Sequence, residues 1–460
     1  MNQLPNKWAT VRLGEVARVV RGITFPAVAK ESSKSSTNVC CLRTTNVQKT
    51  LRWDDVYYVP REYVKREDQF VQVGDILMSM ANSYELVGKV ALATVVPEAT
   101  AFGAFVSAVR PTALTKSPYL FHLLRTQAVQ LALREGSSQT TNIANISVSR
   151  LSEIEVPLAP LDEQQRISNK LDTVLARVDA CRERLDRVAP LLKRFRQAVL
   201  TAATAGRLTK DLRGDGNAGW AIMRADDVCA KVQSGGTPTS GFTETTGIPF
   251  LKVYNIVDQR IDFECRPQFV HPEVHAGELG KSRALPGDVL MNIVGPPLGK
   301  VAVLTDAAPE WNINQAITLF RPSDRITSGW LYILLCEGAA VRSVLDRTKG
   351  SVGQVNISLS QCRAFEFPVP TIEEQRQVVR RVEILFAFAD RMEARLARAQ
   401  TAVDRLTPSL LAKAFRGELV PQDPADEPAA ALLASLHQSH QRLAATTVVK
   451  RSGGRPKKTA

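Results

Sequence analysis

An internal repeat constrains this chain more than any other feature of its sequence. Residues 145–149 (Asn-Ile-Ser-Val-Ser) recur as residues 356–360 (Asn-Ile-Ser-Leu-Ser), a shift of 356 − 145 = 211 positions. The same shift carries residues 161–164 (Leu-Asp-Glu-Gln) onto residues 372–375 (Ile-Glu-Glu-Gln). Because self-similarity at a fixed shift marks a chain built from copies of one unit, the 460 residues are predicted to form two copies of one fold.

Each copy begins with a segment of mixed pattern. Short runs rich in β-branched residues, such as 71–80 and 87–96, alternate with Gly, Pro, Asn and Ser turns, which is typical of short strands. One helix is expected in each copy, over residues 118–134 and 328–347. A glycine and a polar segment follow each of these helices, so a loop is expected next.

A heptad pattern follows each mixed segment. Apolar residues recur at alternating steps of four and three from Ile167 to Val199, and again from Val378 to Leu410. This spacing indicates two long helices that pair along an apolar seam, although each helix could instead pack on its own mixed domain. We expect the seam to contain Ile167, Leu171, Val174, Val178, Leu185, Leu192, Val378, Val382, Leu385, Leu396, Val403 and Leu410.

Local signals set the ends of these two helices. Asp162 and Thr371 stand where an N-cap residue is expected, because both side chains can accept a hydrogen bond from a backbone N–H of the first turn. Gly206 and Gly417 stand where each helix should stop.

The predicted fold class is α+β: two similar mixed domains separated by two long helices that pair as an antiparallel coiled coil with pseudo-twofold symmetry. The segments follow in chain order as a first mixed domain at 1–157, a first long helix at 158–209, a linker at 210–219, a second mixed domain at 220–367, a second long helix at 368–418 and a tail at 419–460. The tail is basic after about residue 445 and is expected to be disordered.

Composition narrows the functional class. Lys and Arg number 59 against 46 Asp and Glu, a net charge of +13, which favours a polyanionic partner. No apolar run approaches the roughly 20 residues that cross a bilayer, so we expect no membrane segment and no secretion. The seven cysteines form no C-x-x-C pair, which suits a reducing cytoplasm rather than a disulfide framework.

Catalytic motifs are missing from the sequence. It contains neither a G-x-x-x-x-G-K-[ST] phosphate loop nor a G-x-G-x-x-G helix start. Residues 295–298 (Gly-Pro-Pro-Leu) lack the Asp or Asn with which amino-methyltransferases accept a hydrogen bond from the target amine. His271 and His275 have helical spacing, but Pro272 and the turn-rich surroundings argue against a helix, so no metal site is expected. The chain is predicted to be non-catalytic.

Polar residues able to contact phosphates and base edges concentrate in the loops of both copies. Such residues are also common in any loop, so the prediction concerns the set. The predicted DNA-binding residues are Arg21, Thr24, Arg43, Thr45, Asn46, Ser79, Asn82, Tyr84, Ser138, Gln139, Thr140, Thr141 and Asn142 in the first copy and Gln233, Ser234, Thr237, Lys252, Tyr254, Asn255, Asn292, Lys349, Ser351, Gln354 and Asn356 in the second.

Several of these motifs together resemble one known family. They resemble motifs of the specificity (S) subunit of type I restriction-modification systems. The motifs are the segments that lead from each mixed domain into its long helix, at 156–164 and 369–375, the Ser-Gly-Gly-Thr-Pro run at 234–238, and the Gly-Asp-Ile/Val-Leu-Met runs at 74–78 and 287–291. The resemblance covers about residues 8–420.

That resemblance implies a function and partners. The mixed domains would be target recognition domains that read one half each of a bipartite site in double-stranded DNA, and the long helices would hold them apart. Two methyltransferase (M) subunits would dock on the helices and carry the S-adenosylmethionine chemistry. Restriction (R) subunits, bound through the M subunits, would use ATP and Mg, and this chain itself would hold no cofactor. The alternative is a tandem-repeat scaffold whose domains bind protein partners rather than DNA.

Overall fold

The structure, a computed structural model, describes residues 4–139, 143–213, 219–347 and 356–435. Its contacts divide the chain into two compact units. Unit 1 comprises Met1–Arg184 with Ala399–Ala460, and unit 2 comprises Leu185–Arg398. Each long helix therefore contributes residues to both units.

The two long helices span Leu161–Thr204 and Ile372–Phe415, with 44 residues each. Thr371 caps the second helix, because its hydroxyl accepts a hydrogen bond from the Glu374 N–H at 3.3 Å. The N-cap prediction for Asp162 is wrong: the first helix starts one residue earlier, since the Gln164 N–H already donates to the Pro160 carbonyl at 2.8 Å.

Glycine stops both long helices, as the sequence predicts. Gly206 and Gly417 have φ angles of 70° and 75°, in the left-handed region that a side chain disfavours. The predicted linker at 210–219 begins within a 3₁₀ helix, Arg207–Leu212, which follows the first long helix. Its Asp211 carboxylate accepts a hydrogen bond from the Arg381 guanidinium at 2.6 Å.

Unit 1 contains two main sheets beside its helices. One is antiparallel, with the strands in the order Ala17–Arg21, Val106–Pro111, Ile76–Ser79 and Val90–Leu92. The other has the order Tyr57–Pro60, Asn38–Leu42 and Thr100–Phe102, and its last two strands are parallel. Smaller pairings join Ala9–Arg12 to Glu155–Leu158, and Ser138–Gln139 through Ala144–Asn145 to Ala81–Asn82.

Unit 2 repeats this arrangement. Its antiparallel sheet has the order Cys229–Ser234, Ile317–Pro322, Val289–Asn292 and Val301–Val303. A five-stranded sheet has the order Phe242–Thr243, Phe269–Val270, Ile248–Leu251, Trp311–Ile313 and Arg283–Ala284, with Ile248–Leu251 and Trp311–Ile313 parallel. Two further pairs join Ala221–Arg224 to Glu366–Val369 and Ile256–Val257 to Arg260–Ile261.

The helix predicted in each mixed segment is in fact two helices. Residues 118–134 divide into Ser117–Leu124 and Gln127–Glu135, because the Thr126 hydroxyl caps the second helix by accepting a hydrogen bond from the Val129 N–H. Residues 328–347 divide into Ser328–Glu337 and Ala339–Arg347 at Gly338, whose φ of 84° is left-handed. The remaining helices are shorter, at Leu13–Val16, Val148–Glu153, Ala225–Val228, Pro272–Ala276 and Leu359–Arg363.

A buried glutamine attaches each long helix to its domain. The Gln164 side chain is fully buried, accepts a hydrogen bond from the Lys116 N–H at 2.9 Å and donates to the carbonyls of Leu114 and Ala159. Gln375 repeats these contacts with the Thr327 N–H at 2.8 Å and with the carbonyls of Arg325 and Pro370. This shared role explains why the Glu-Gln sequence recurs at the start of both helices.

The twelve residues named for the apolar seam are buried or half-buried in the structure, but Leu406, which follows the same spacing, is 43% exposed. Those near the helix ends join the domain cores, Ile167 and Leu171 in unit 1 and Val378 and Val382 in unit 2. Cys181, which follows the same spacing, is exposed. Packing on the mixed domains therefore explains why the apolar residues near the start of each long helix are buried. The other seam residues lie farther along the two helices.

Ion pairs and a ring contact link the two long helices within each unit. In unit 1 the Arg182 guanidinium lies 3.0 Å from the Asp404 carboxylate. In unit 2 Arg196 contacts Glu393 at 3.0 Å, and the Phe195 and Phe388 ring centroids lie 6.3 Å apart.

The start of the C-terminal tail is ordered against unit 1. Arg166 pairs with the Asp426 carboxylate at 2.6 Å, the Lys7 ammonium donates to the Asp426 carbonyl at 2.6 Å, and Ala429 is fully buried. The expectation of disorder is therefore wrong for residues 419–435, because paired charges and a buried apolar residue hold them. Residues 436–460 lie outside the described part of the chain.

In the part of the chain that the structure describes, no single helix is both long and apolar enough to cross a membrane. The bent pair Ser328–Glu337 and Ala339–Asp346 reaches that length and composition only when the two helices are taken together. Trp330, Leu331 and Leu335 of this pair are buried in the unit 2 core.

Candidate nucleic-acid interface

Two parallel strands end side by side in each unit, and the turns that follow them touch. In unit 1 the Gly103 N–H, just after one strand, donates to the Leu42 carbonyl at the end of the other at 2.9 Å. In unit 2 the Asn314 N–H donates to the Leu251 carbonyl at 3.0 Å. Loops at the carboxyl ends of parallel strands are where binding residues commonly gather.

A glycine turn forms the third segment of the same site. The Gly22 N–H donates to the Val106 carbonyl at 3.2 Å, and the Gly235 N–H donates to the Ile317 carbonyl at 2.9 Å. The two glycines thus occupy equivalent places, and the predicted DNA-binding residues Thr24 and Thr237 follow them.

Only glycine permits this close approach. A Cβ atom on Gly22 would lie 2.2 Å from the Gly103 carbonyl oxygen, and one on Gly235 would lie 2.1 Å from the Ile313 carbonyl oxygen. Both distances are far inside van der Waals contact, so any side chain would push the segments apart. We call the three segments the junction: residues 22–24, 43–45 and 103–105 in unit 1, and residues 235–237, 252–254 and 314–316 in unit 2.

Cations lie over aromatic rings at the junction. Lys30 and Arg43 lie 5.4 and 5.5 Å from the Tyr57 ring centroid, beside a cavity of about 410 Å³. In unit 2 the Lys252 ammonium lies 5.4 Å from the Phe242 ring centroid. Cations held over rings keep a defined position from which they can attract phosphates. The Arg43 guanidinium also pairs with the exposed Asp55 carboxylate at 2.5 Å, so a phosphate would have to compete with that carboxylate.

The polar residues predicted around the junction are largely accessible. Arg21, Thr24, Thr45 and Thr237 are exposed, while the others are half-buried, namely Arg43, Gln233, Ser234, Lys252 and Tyr254. The structure therefore brings together on one surface most of the predicted residues from the first loops of each copy.

Two predicted asparagines hold the turns instead of facing outward. Asn46 and Asn255 are each 1% exposed. The Asn46 side chain accepts from the Arg43 N–H at 2.9 Å and donates to the Asp55 carbonyl, and Asn255 makes the same contacts with Lys252 and Cys265. The prediction that they contact DNA is wrong, because backbone groups already use their amides.

Ser79 and Asn292 are a second correction. Ser79 is fully buried and Asn292 is 1% exposed. The Asn292 side chain accepts from the Lys300 N–H at 2.7 Å and donates to the Pro297 carbonyl at 2.8 Å. Both residues end a strand of the antiparallel sheet, so we assign them to the scaffold of the adjoining loops.

Other predicted residues lie outside the junction. Asn82 and Ser138 belong to the small sheet of unit 1, where Asn82 donates to the Ser79 hydroxyl at 3.3 Å. Tyr84 beyond it is 41% exposed, and Asn356 in unit 2 is exposed. The side chain of Gln139 and the whole of Thr140, Thr141, Asn142, Lys349, Ser351 and Gln354 lie outside the described residues.

Of the two histidines with helical spacing, His275 is part of the packing in unit 2 and His271 is exposed. A short helix does form at Pro272–Ala276, against expectation, because proline is well suited to the first turn. The buried His275 ring lies 2.6 Å from the Asn312 amide oxygen and 2.8 Å from the Glu310 carboxylate. Within the described ranges no group of three or more His, Cys, Asp and Glu side chains could hold a metal ion.

Sequence reasoning missed two exposed residues at the junction, Phe105 and Gln315. Phe105 is 66% exposed, and Gln315 is also exposed. Aligning the copies at their shift of 211 places residues 103–106 (Gly-Ala-Phe-Val) on 314–317 (Asn-Gln-Ala-Ile). The two copies therefore differ at Phe105 and Gln315 within a stretch that otherwise aligns, and this difference was the sequence signal that could have identified both residues.

Comparisons with known proteins agree with this architecture. The family model for the type I restriction modification DNA specificity domain matches residues 5–188 and again residues 217–399. The specificity subunit of the type I restriction enzyme StySPI from Salmonella potsdam is 32% identical over 435 residues, which cover 93% of this chain and 92% of that protein. The EcoKI specificity subunit from Escherichia coli K12 is 30% identical over 437 residues, with the same coverage.

Solved structures show the same fold. The HsdS subunit from Thermoanaerobacter tengcongensis superimposes with a TM-score of 0.58 at 20% identity, covering 90% of this chain and 98% of that one. A chain from a structure of complex assembly and conformational transition in the type I R-M system gives a TM-score of 0.65 at 20% identity, covering 90% and 99%. The chain therefore belongs to the family of type I restriction-modification DNA specificity subunits.

Proposed function

We propose that this chain selects the DNA sequence on which a type I restriction-modification complex acts, and that each mixed domain reads one half of a bipartite site. The observation that carries this proposal is the junction, which both units build from the same backbone contacts and border with cations. The net charge of +13 supports a polyanionic ligand. The chain itself is a non-catalytic component, as specificity subunits are.

The long helices would set the distance between the two half-sites. We infer that they pair as an antiparallel coiled coil, supported by the burial or half-burial of most of their heptad positions. The pairs Arg182–Asp404 and Arg196–Glu393 also support it, because the residue farther along the first helix pairs with the residue nearer the start of the second. Such pairing would relate the mixed domains by a pseudo-twofold axis, so that the half-sites lie on opposite strands.

Partner subunits would supply the chemistry. We expect two methyltransferase subunits to dock on the long helices and to bind S-adenosylmethionine, and restriction subunits to join through them and use ATP and Mg. A cytoplasmic location follows from this role.

Salt dependence separates DNA reading from the scaffold alternative. Binding to DNA should weaken steeply as salt rises, with a slope of about −0.9 per phosphate contact in a log–log plot, whereas a protein-binding scaffold would show no such specific DNA affinity. Replacing Arg43 or Lys252 by Ala should reduce the slope by about one contact each. Arg12→Ala is the control, because Arg12 is exposed on a strand outside the junction. Equal slopes for all three variants would contradict the proposed interface.

Helix length provides a second test. Because Arg182 contacts Asp404, one heptad inserted after Arg182 and one inserted before Asp404 lie opposite each other and keep the apolar spacing. The helices then lengthen by about 10.5 Å, equivalent to about three base pairs. The methylated motif of the reconstituted complex should gain that spacer, and an active complex with an unchanged spacer would exclude the helices as its determinant.

A further inference from the structure

The third segment of the junction, residues 103–105 in unit 1 and 314–316 in unit 2, has the same backbone turn in both units but different side chains. The Val106 N–H donates to the Gly103 carbonyl at 2.8 Å, and the Ile317 N–H donates to the Asn314 carbonyl at 3.0 Å, so both turns are closed in the same way. Between these ends, unit 1 presents Ala104 and Phe105 where unit 2 presents Gln315 and Ala316. A fixed backbone with exchanged side chains is what a pair of readers for different sequences requires.

Phe105 is an exposed apolar group in a cavity that two cations also line. Its side chain is 66% exposed, and it lines the same cavity as Thr24, Lys30 and Arg43. Unlike the other exposed apolar side chains of unit 1, such as Val28 and Val73, this ring lines a cavity that also contains two cations, so a ligand bound in the cavity would cover it. The neighbouring cations suit a polyanion, and in the major groove the 5-methyl group of thymine is the apolar feature of a base edge.

Gln315 is a polar group held in a set orientation. The Thr237 hydroxyl donates a hydrogen bond to the Gln315 side-chain oxygen, and Thr237 follows the glycine turn of the junction. That oxygen has a second lone pair, and the amide nitrogen has two hydrogens to donate. A glutamine amide in this state can donate to N7 and accept from N6 of adenine, a pairing that distinguishes adenine from the other bases in the major groove.

We propose that these turns are the base-reading elements of the two domains: Phe105 contacts the methyl group of a thymine in the first half-site, and the Gln315 amide binds an adenine in the second. This inference rests on the proposed function, which gives each domain one half-site. Thr237 acts as a positioning residue for Gln315, and Arg43 and Lys252 contribute phosphate contacts beside the turns.

Single-atom changes in DNA test the first half of the proposal. Methylation mapping supplies the motif, and duplexes are made in which each thymine of the first half-site is replaced in turn by deoxyuridine, which lacks only the methyl group. For the full chain in its methyltransferase complex, one such replacement should weaken binding about fourfold, the effect of one buried carbon. Phe105→Ala should be insensitive to that replacement, whereas the control Val73→Ala, at a position that is 70% exposed but outside the junction, should respond as the wild type does.

The second half is tested in the same way with 7-deazaadenine, which replaces N7 by a C–H group. One replacement in the second half-site should weaken wild-type binding about tenfold and leave Gln315→Ala unaffected. For Thr237→Val, the loss of affinity caused by 7-deazaadenine should lie between those of the wild type and Gln315→Ala. The Gln315 amide keeps its hydrogen-bonding groups in this variant but is no longer oriented by the Thr237 hydroxyl. Ile222→Ala, at an exposed position on another strand of unit 2, is the matched control.

The outcomes separate this inference from the proposed function. A wild-type complex that does not distinguish the mapped motif from a scrambled duplex overturns the proposed function. A wild-type complex that binds the motif specifically but tolerates every deoxyuridine and every 7-deazaadenine overturns the assignment of the turns alone. Thermal unfolding of Phe105→Ala and Gln315→Ala should match the wild type, and a loss of binding that accompanies unfolding counts against direct reading.

Discussion

The two units are most alike where polar groups are buried and least alike where side chains reach solvent. In unit 1 the Arg110 guanidinium lies 2.7 Å from the Asp75 carboxylate, and in unit 2 Arg321 lies 2.8 Å from Asp288. Both aspartates are 2% exposed in their side chains. At the junction, by contrast, Phe105 is replaced by the much smaller Ala316. The comparison teaches that paired internal contacts fix the loops in space, which leaves the exposed positions open to change.

The largest effect is expected from breaking the buried ion pair. Asp75→Ala leaves the Arg110 guanidinium without its bidentate partner, and losing one member of a buried pair costs about 3–5 kcal/mol of unfolding free energy. Asp288→Ala should cost less, because the Arg321 side chain is 27% exposed against 14% for Arg110. Chemical denaturation of both variants measures the difference.

An exposed pair serves as the control for this experiment. Arg52 pairs with Asp54 in unit 1, and both side chains are about 60% exposed. Arg52→Ala should leave the denaturation midpoint unchanged, since exposed pairs contribute little. An equal loss of unfolding free energy in Asp75→Ala and Arg52→Ala would contradict the account, because the buried pair would then stabilise the unit no more than an exposed pair does.

A smaller loss of unfolding free energy is expected when the buried glutamine at the start of either long helix is replaced. Gln164→Ala leaves the Lys116 N–H and the carbonyls of Leu114 and Ala159 without their buried partner, at a cost of about 2–3 kcal/mol. Gln375→Ala should cost the same, because its contacts are equivalent. The exposed Gln165, one position along the helix, is the control, and unequal losses for Gln164 and Gln375 would contradict the equivalence.

The sequence predicted the repeated architecture better than the surface. The heptad spacing from Ile167 to Val199 lies entirely within the observed helix Leu161–Thr204, because burial imposes a period that the sequence records. Asn46 and Asn255 were assigned to DNA contact because an asparagine that holds a turn and one that reads a base look the same in a sequence. Residues 419–435 were misassigned because their order depends on Arg166 and Lys7, which lie far away in the chain.

The smallest effect is a pH dependence that a buried histidine of unit 1 contributes. Burial lowers the pKa of His122, and its hydrogen bond to Asp172 only partly offsets this. The unfolded chain, with a histidine pKa near 6.5, therefore binds a proton that the folded chain does not, so stability is lost as the pH falls below about 6.5. In unit 2 the equivalent residue is the buried Ile333.

His122→Ile should remove this part of the pH dependence. The measurement is the denaturation midpoint between pH 7.5 and pH 5.5 for the wild type and the variant. If both lose the same stability over this interval, the titration of His122 does not contribute.

Independent reading by the two units is tested most directly by exchanging one of them. Residues 1–157 are replaced by the equivalent domain of a relative, and the methylated motif is mapped in a host that carries the reconstituted system. The account predicts that one half-site changes while the other half-site and the spacer stay the same, because separate junctions read them and unchanged helices separate them. A motif in which both half-sites change, or neither does, would contradict the account.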